Sequence, residues 1–578
     1  MLGRTAPGAR VQVGGQPAQV FGSGIFALDH VAVDLGSSAI VVQAQSPSGQ
    51  ISMQTLQVLR VPPPAAVQWP ADRLYINGSS LQPDQLMQLA PGQTVEVAVQ
   101  ATPGQRVRAR LPGEGWRALH EASPGRYRAS LAFSGSADVA AAAVKVQLQG
   151  VAAARGRKPH AISSWTPGWV GQWRADPDRL WAVGEGGAGL LHGLHDVRLG
   201  GPYLAELLPG TLLRVTGQQG GSPAGPPSNA RSPLPATGHL RVQLAPDSEA
   251  WVAASEGRYA PAGTAPPQAH FTSLSVAAGA DGDVVHIPLS SAVPFAVQAS
   301  AHSPDDRGGT TAGAPGIDID LYSTHHATTW ISHRANARVV REVTAEQRSP
   351  GRVRLHLSLQ GPRLWGWRVE RTADALRVIV RPPPVPAREG PPLAGLRVAL
   401  EPGHGGPTNL GAVGPTGTPE KEFNRWTALA LQQELESSGA QVVMVRAEDH
   451  NPSLLERALR AVAADAHVYI SLHANAADTS RGHLRVSGTS TYYRHAHSRD
   501  LAAAVQRRLL QETGLNDFGL VGNFNYTPIR LLTWMPAVLV EQAFVSHPGD
   551  EARLLDPAFR QQVARAVRQG LQDFLGAP

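Results

Sequence analysis

The segment LRVALEPGHGG, residues 396–406, decides the fold of the last third of this 578-residue chain. Its first part, LRVAL, alternates apolar residues with an arginine and includes a β-branched valine, which predicts a strand. A turn then carries a single histidine, His404, between glycines. In open α/β sheets, ligands bind beyond the carboxyl ends of the strands. This position therefore favours a functional side chain in an α/β domain.

Strand and helix patterns alternate through the rest of the chain. Further strands are predicted at QVVMVR (441–446), HVYISLHAN (467–475) and AVLVEQAF (537–544). Helices are predicted at 422–438, after the Ser453–Glu456 capping box with Leu455, Leu459 and Val462, at 498–514 and at 557–575. This alternation predicts a C-terminal α/β domain with a largely parallel sheet flanked by helices.

The residues before about 390 have a different character. The 60 Gly and 48 Pro of the chain indicate many turns between short strands. Segments such as TVEVAVQA and RVRARL alternate apolar and polar residues with the period of a strand. We therefore predict a multidomain chain in which small all-β modules precede the α/β domain. The predicted units are an immunoglobulin-like β-sandwich at 1–62, a second β module at 63–155, a small β-barrel at 175–262, a further β domain at 265–382 and the α/β domain at 393–578.

Stretches rich in Gly and Pro separate or interrupt these units. VPPPAAVQWP (61–70) and PPPVPAREGPP (382–392) are predicted linkers. Residues 217–238 and 303–316 are predicted loops within the third and fourth β units.

The charge balance and the absence of cysteine limit the possible functions. A formal net charge of +6 and a pI near 9.8 favour contact with an anionic surface or polymer. The sequence contains no basic patch with interleaved aromatic residues, so we predict no nucleic-acid partner. Because the chain has no cysteine, disulfides, thiolate metal sites and a Cys nucleophile are excluded. Any zinc must then use histidine and carboxylate ligands.

The sequence as given predicts no membrane span and no targeting signal. It contains no run of about 18 apolar residues. The first residues, MLGRTAPGARVQVGG, lack the apolar stretch of a signal peptide. Either the protein is cytoplasmic, or the start has been trimmed or misplaced.

Three more polar residues are predicted to lie at the same sheet edge as His404. His473 ends the strand VYISL, Glu541 ends the strand AVLVE, and Glu420 lies in the turn GPTGTPEKEFN before a helix. Two imidazoles and one carboxylate, with a fourth position left to water, fit a catalytic zinc site. Zinc lowers the pKa of a bound water to about 7 and polarises a carbonyl. A second carboxylate must then move the proton, and burial in an apolar strand would raise the pKa of Glu541 toward that task.

Each of these residues also has a structural explanation when taken alone. A single histidine after a strand is more often a hydrogen-bonded structural residue than a metal ligand. Glu420 alone would be read as a solvated carboxylate in a turn. Glu541 is harder to explain in this way, because a buried carboxylate is costly unless it is paired or functional. The combination of the four residues is a much stronger signal than any single member.

Four motifs in this region, EPGHGG, PTGTPEKEFN, ISLHANA and PAVLVEQAFVSHP, carry a family resemblance. In this order and spacing they resemble the zinc-dependent N-acetylmuramoyl-L-alanine amidases of the AmiC type, the amidase-3 family, over about residues 394–576. The resemblance implies a zinc ion held by His404, Glu420 and His473, with Glu541 as the catalytic acid/base. The implied reaction is hydrolysis of the amide that joins N-acetylmuramic acid to L-Ala of the stem peptide in peptidoglycan.

Two positions depart from the family pattern. Glu401 stands where the family usually has Asp, and we expect it to orient a ligand imidazole. His547 stands where the family usually has Asn. The segment between the motifs SLHAN (471–475) and STYYR (490–494) is short in this chain. Family members regulated by an inserted blocking helix carry a much longer segment there. We therefore predict a site that is open by default.

The upstream units add weaker resemblances. VRLGGPYLAELLPGTLLRVTG resembles the small bacterial src-homology-type barrels that accompany wall enzymes, and RVRLHLSLQG with ALRVIVRPPP resembles the AMIN domains found before some amidases. We thus expect an exported peptidoglycan amidase in the periplasm or cell wall, held there by its N-terminal β modules. The alternatives are a zinc peptidase acting on stem peptides and a non-catalytic wall-binding pseudoenzyme.

Other candidate residues stay open or are assigned to the surface. Arg530 could meet a stem-peptide carboxylate or form a structural ion pair. Two histidine pairs, His325 with His326 and His495 with His497, could bind metal. Because no carboxylate or cysteine partner is evident for either pair, both are predicted to be surface residues.

Overall fold

The computed structural model describes residues 1–61, 74–134, 142–150, 161–172, 180–194, 202–220, 238–300, 315–385, 389–480 and 482–576. The predicted linker at 61–70 and the predicted loops at 217–238 and 303–316 lie largely outside these residues. In the described part of the chain, no helix combines the length and the apolar character needed to cross a bilayer.

The first module is one antiparallel sheet of six strands around a small apolar core. Its strands are β1 (Leu2–Arg4), β2 (Arg10–Val13), β3 (Gln16–Val20), β4 (Ile25–Ala27), β5 (Gly36–Gln45) and β6 (Ile51–Arg60). They pair in the order β1-β4-β3-β2-β5-β6. Val11, Val13, Phe26 and Ile40 form the buried centre. The immunoglobulin-like assignment of this module stays a prediction.

The second and third modules share one continuous sheet. The second contains β7 (Ile76–Gln82), β8 (Met87–Leu89), β9 (Thr94–Ala101), β10 (Arg106–Arg110), β11 (Arg117–Ser123), β12 (Arg126–Ala132), β13 (Ala142–Gln149) and β14 (Ala161–Gln172). The third contains β15 (Leu180–Val183), β16 (Ala188–Leu191), β17 (Tyr203–Leu207), β18 (Leu212–Gln219), β19 (His239–Ala245), β20 (Ser248–Ala253) and β21 (Gly257–Tyr259). The short strand β8 joins them, because it pairs with β14 on one side and β18 on the other.

The fourth module is built from two sheets that enclose an apolar core. Its strands are β22 (Ala269–Phe271), β23 (Leu274–Ala278), β24 (Asp283–Pro288), β25 (Phe295–Ser300), β26 (Gly316–Tyr322), β27 (Thr324–His326), β28 (Ile331–His333), β29 (Val340–Ser349), β30 (Arg352–Leu359), β31 (Gly366–Arg371) and β32 (Ala375–Arg381). One sheet has the order β28-β23-β24-β32-β31 and the other β25-β26-β30-β29, while β22 and β27 form a separate pair.

The last domain alternates strands and helices. It contains β33 (Arg397–Pro402), α1 (Glu420–Ser437), β34 (Gln441–Met444), α2 (Leu454–Ala463), β35 (Val468–Asn475), β36 (Thr489–Tyr493), α3 (Arg499–Thr513), β37 (Asp517–Val521), α4 (Thr527–Leu531), β38 (Ala537–Phe544), α5 (Pro548–Leu555) and α6 (Pro557–Leu575). The sheet order is β34-β33-β35-β38-β36-β37. The first four of these strands are parallel, and β36 runs antiparallel to β38. The predicted multidomain order, with many strands first and the helix-containing domain last, is confirmed.

Alternate residues of the strands in this domain enter two apolar cores, one on each side of the sheet. Val398, Ile470 and Val540 pack in one core with residues of α1, α3 and α6. Ala399 and Tyr469 pack in the other core with residues of α2 and α4. Helices therefore cover both sides of the sheet. The place where a ligand can bind is beyond the carboxyl ends of the parallel strands.

Helix α2 turns a different side to the sheet than its apolar residues indicated. Ser453 Oγ accepts from the backbone N–H of Glu456 at 3.2 Å, as the capping motif predicted. However, Leu455 and Leu459 are 52% and 55% exposed, while Arg457 is buried. The buried side of α2 carries Arg457, Ala458 and Ala461, and the Arg457 guanidinium bonds to the buried Glu401 carboxylate.

The fourth module is joined tightly to the last domain. The indole Nε1 of Trp365 donates to the backbone oxygen of His467 at 3.0 Å, and the ring belongs to the core of the last domain. The Trp367 ring meets His495 and His497 edge-on, with ring centroids 5.8 and 5.1 Å apart. Burial lowers the pKa of these two histidines to about 4 and about 3. Their prediction as surface residues is wrong, because both rings are half-buried and contact the Trp367 ring.

Candidate metal centre

The four sequence-predicted residues meet at the edge where the parallel strands end. His404 follows β33 by two residues, His473 lies near the end of β35, and Glu541 lies in β38. Glu420 is the first residue of α1. The structure therefore brings together all four residues, and their individual roles stay predictions.

His404 is held in a backbone conformation that few residues adopt. Its φ angle is 62°, and the next two residues, Gly405 and Gly406, have φ angles of 131° and 70°. A positive φ is uncommon outside glycine and costs energy, so surrounding contacts must hold it. Arg457 donates to the backbone oxygen of His404 at 2.8 Å, and the Asn409 amide oxygen lies 2.8 Å from His404 Nδ1. These contacts fix both the backbone and the ring.

Glu420 bridges the two histidines. Its Oε2 lies 3.0 Å from His404 Nε2, and its Oε1 lies 3.0 Å from His473 Nδ1. One ligand atom from each residue can be chosen so that all three lie within 4.8 Å of one another. Glu420 and His473 are buried, and His404 is half-buried. This is a compact group of two imidazoles and one carboxylate that could hold a metal ion.

The electrostatics of the group follow from this bridge. Burial works to raise the pKa of Glu420, but the bonds from the two imidazoles outweigh it and hold the pKa well below the usual range. Burial also works to lower the pKa of His404, and the bond to Glu420 outweighs it and raises the pKa. The carboxylate is therefore ionised and available as a ligand at neutral pH.

Two further features fit a bound divalent cation. His473 Nε2 is buried and has no hydrogen-bond partner among the described residues, which is costly in a site without a cation. A Cβ atom at Gly403 would lie 2.3 Å from the His473 ring, and a Cβ atom at Gly411 would lie 2.6 Å from the Glu420 carboxylate. Only glycine leaves the space that these ligand side chains occupy.

Glu541 lies next to this group without bonding to it. It is the register partner of His473 across β35 and β38. Its Oε2 is buried and finds no hydrogen-bond partner in the described part of the chain. Burial, reinforced by the charge of Glu420, raises the pKa of Glu541 well above its usual value. The site thus holds one ionised carboxylate and one carboxyl that favours its proton, which are the two forms that acid–base chemistry needs.

Glu401 has a different role from the one expected. It was predicted to orient a ligand imidazole, but its fully buried carboxylate bonds to Arg457 and to Ser471 Oγ. Arg457 in turn donates to the His404 backbone. Burial favours the neutral form, yet the Arg457 charge outweighs it and lowers the pKa of Glu401. Glu401 therefore acts on His404 through Arg457 and the backbone rather than through an imidazole.

The loop before Glu420 is fastened by a residue that sequence reasoning missed. Glu551, in α5, is buried and accepts from the Thr416 N–H at 3.0 Å and from Thr416 Oγ1 at 2.6 Å. A Cβ atom at Gly414 would lie 2.1 Å from the same carboxylate. Helix α5 thereby holds the turn that leads into α1 and positions Glu420.

The other two open positions also have defined contacts. His547 Nδ1 accepts from the Asp550 N–H at 3.2 Å and caps α5. Arg530 lies 3.2 Å from the Glu206 carboxylate and places its guanidinium 4.3 Å from the Tyr203 ring centroid. Of the two interpretations of Arg530, these contacts favour the structural ion pair, here between the third module and the last domain.

Comparison with known proteins assigns the last domain to a family. A family model described as N-acetylmuramoyl-L-alanine amidase matches residues 398–573. The C-terminal domain is an amidase-3 domain. Its bounds enclose all four candidate residues of the metal centre.

Individual relatives match about a third of this chain. N-acetylmuramoyl-L-alanine amidase LytC of Bacillus subtilis is 34% identical over 179 residues, which is 31% of this chain and 35% of that protein. The probable cell wall amidase LytH of Staphylococcus aureus is 33% identical over 192 residues, which is 33% of this chain and 62% of that protein. This chain therefore spans less than two thirds of either relative. The solved catalytic domain of CwlV, an N-acetylmuramoyl-L-alanine amidase from Bacillus (Paenibacillus) polymyxa, is 33% identical to this chain, with a TM-score of 0.30. The match covers 32% of this chain and 99% of the CwlV domain.

Proposed function

We propose that this protein is a zinc-dependent N-acetylmuramoyl-L-alanine amidase that removes stem peptides from the glycan strands of peptidoglycan. The observation that carries the proposal is the group of His404, Glu420 and His473 beside Glu541, whose Oε2 is buried, inside a domain that matches the amidase family model. The names of the two relatives agree with this activity.

Zinc is the metal that the ligand set favours. Two imidazoles and one carboxylate with an open fourth position are typical of catalytic zinc sites, and no thiolate is needed. When bound, zinc supplies an activated water and a Lewis acid for the amide carbonyl. His404, Glu420 and His473 would hold the ion, and Asn409 would keep the His404 ring in its orientation.

Glu541 would move the proton of the reaction. As a carboxylate it would take a proton from the attacking water, and as a carboxylic acid it would deliver that proton to the leaving nitrogen of L-Ala. Glu541 is half-buried with its Oε2 buried, and this desolvation, together with the charge of Glu420, raises its pKa in the metal-free protein. A cation bound next to it would oppose this rise, because a positive charge favours the carboxylate.

The segment between β35 and β36 supports a site that is open without a partner. Residues 476–480 and 482–488 form no helix. Asp29 of the first module accepts from the backbone N–H groups of His483 and Leu484 at 2.8 and 3.0 Å. These two hydrogen bonds tie the segment to the first module. A segment without a helix in its described residues, held in this way, supports a site that is not blocked.

Digestion of purified muropeptides by the full chain tests the reaction and the open site together. We expect free stem peptides and intact glycan, formed without any added protein, because the proposed bond lies between the sugar and L-Ala. Mass spectrometry of the products distinguishes the outcomes. Cleavage within the stem peptide would instead identify a zinc peptidase, and no cleavage at saturating zinc would favour the pseudoenzyme. Activity that requires an added partner would contradict the open site.

We also propose that the protein works outside the cytoplasm, in the periplasm or cell wall, where its substrate is found. The N-terminal β modules would hold it at the wall. The name of the Staphylococcus aureus relative, a probable cell wall amidase, agrees with this location.

Glu551→Gln is expected to lower kcat/KM about ten-fold while metal content stays at the wild-type level. The amide has one acceptor oxygen where the carboxylate has two, so the Thr416 N–H, which lies 3.0 and 3.2 Å from the two carboxylate oxygens, would keep only one of these contacts and the turn before Glu420 would be held less firmly. Steady-state kinetics and metal analysis check this result. The matched control is Glu436→Gln on the exposed side of α1, which should leave both unchanged. Equal kinetics for the two variants would show that the turn does not need Glu551.

A further inference from the structure

A basic, aromatic surface lies on the second β module, on the side of the sheet that faces away from its core. Along β10, Arg106, Arg108 and Arg110 alternate with the buried residues Val107 and Ala109. Because successive side chains of a strand point to opposite sides, the three guanidinium groups share the outer side.

The same outer side continues across the next two strands. Arg110 is the register partner of Lys145 on β13, and Lys145 is the register partner of Trp165 on β14. Directly opposed residues of antiparallel strands lie on one side of the sheet. Trp116, just before β11, lies beside the arginines of β10. We call the following six residues the basic face: Arg106, Arg108, Arg110, Trp116, Lys145 and Trp165.

Cations and indole rings are paired on the basic face. The guanidinium carbons of Arg108 and Arg110 lie 4.7 and 5.3 Å from the Trp116 ring centroid. Lys145 Nζ lies 5.1 Å from the Trp165 ring centroid. These are cation–π distances, and such pairing holds long flexible side chains in place before a ligand arrives. Trp165 is 56% exposed, so much of its surface is free to contact a ligand.

The positive charge of the basic face is not neutralised by neighbouring acids. Within the described ranges, none of its four cations forms a salt bridge. Arg108 Nε donates instead to the neutral Gln147 amide oxygen at 2.8 Å. Four uncompensated cations on neighbouring strands create a field that attracts a polyanion.

We infer that the basic face binds the peptidoglycan strand itself, with sugar rings against the tryptophans and stem-peptide carboxylates on the arginines and the lysine. The planar guanidinium fork matches a carboxylate, and an indole offers a large flat apolar surface for the C–H side of a sugar. The choice of polymer rests on the proposed function, because the amidase domain of the same chain would act on that polymer. The second module would then raise the local concentration of substrate at the metal centre.

Co-sedimentation of the full chain with purified sacculi tests this inference. The parent is Glu541→Gln, so that the sacculi are not digested, and the test variant adds R108Q, R110Q and K145Q. We expect at least about a ten-fold weaker apparent affinity at low salt and a flatter salt dependence, since screened charge pairs are removed. The matched control adds R4Q, R334Q and R499Q, three exposed arginines outside the second module, and should bind like the parent. A further variant, Trp165→Ala, should weaken binding without flattening the salt dependence.

The outcomes separate the inference from the proposed function. Equal sacculus binding by the test variant and its control would overturn the inference. Binding to single-stranded DNA is measured in the same way. If the test variant loses binding to that DNA but binds sacculi as the parent does, the inference is overturned, because the basic face would then bind a nucleic acid. If the face binds sacculi but the native chain cleaves no muropeptide, the inference stands and the proposed function falls.

Discussion

Replacing Glu541 with glutamine is expected to lower kcat on muropeptides by about 10²–10⁴-fold while leaving bound metal at the wild-type level. The amide has nearly the same shape as the carboxyl but can neither take nor deliver a proton. Glu541 makes no bond to the group of His404, Glu420 and His473, so that group should keep its affinity for metal. Steady-state kinetics and metal analysis of the same samples check both parts.

The same substitution should also stabilise the metal-free protein. The pKa of Glu541 is raised in the folded state, so the folded protein binds more protons than the unfolded chain above about pH 4.3, the usual pKa of Glu. Its contribution to stability therefore falls as pH rises from that value toward the folded pKa. Glutamine cannot ionise and avoids this loss, so at pH 7 and with chelator present we expect a higher Tm for Glu541→Gln than for wild type.

Two results would contradict this account of Glu541. A variant with wild-type kcat would show that another group moves the proton. A variant that loses metal together with activity would show that Glu541 is a ligand. The control Glu436→Gln makes the same chemical change at an exposed site and should alter neither kinetics nor Tm.

Removing the metal is expected to abolish activity and to lower the stability of the amidase domain. Saturating zinc stabilises the folded protein by about 4 kcal/mol when its free concentration is about 1,000 times Kd. The buried His473 Nε2 has no partner among the described residues, so metal binding would also relieve that cost. Thermal unfolding with zinc and with chelator, together with activity after zinc is restored, checks this prediction.

His473→Ala distinguishes a specific site from loose metal binding. The variant should lose the bound ion, the activity and the zinc-dependent rise in Tm together, because only two ligands remain. His325→Ala, at an exposed histidine of the fourth module, should keep all three. Wild-type metal content in His473→Ala would place the ion elsewhere and remove the basis of the proposed mechanism.

The positions of the main candidate residues were predictable because strand ends are visible in the sequence. Buried strands are apolar, so a polar residue at the end of one stands out, as His473 and Glu541 do. Parallel strands bring such ends to one edge. The helical period likewise indicated α1, but the helix starts two residues earlier than predicted, so Glu420 is its first residue rather than part of the turn before it. For these residues, the local sequence pattern and the strand topology both predict a position at the carboxyl ends of the parallel strands, and the structure brings the residues together there.

Other features of the site depend on contacts between distant residues. Arg457 lies on the buried side of α2 and pairs with the buried Glu401, whereas Leu455 and Leu459 of the same helix are exposed. Glu551 fastens a turn 135 residues away in the sequence. A charged residue within a helix reads as solvated unless its distant partner is known, so no sequence signal identified either contact.

The basic face shows the same difference at the level of a surface. The sequence predicted no basic patch with interleaved aromatic residues, because the six residues of the basic face are spread along the chain from Arg106 to Trp165. Strand alternation places the arginines on one side of β10, and register pairing adds Lys145 and Trp165 from other strands. His495 and His497 are a comparable case, since Trp367 from another module contacts both rings.

The sequence by itself determined the order of modules and the elements that carry the chemistry. It did so because hydrophobic period and polar strand ends are local properties. Tertiary structure alone decided how His404 is held at positive φ, which side of α2 is buried, and which cations gather on one surface. Each of these depends on a partner far away in the chain, and a buried charge or a shared surface exists only when both partners have been brought together.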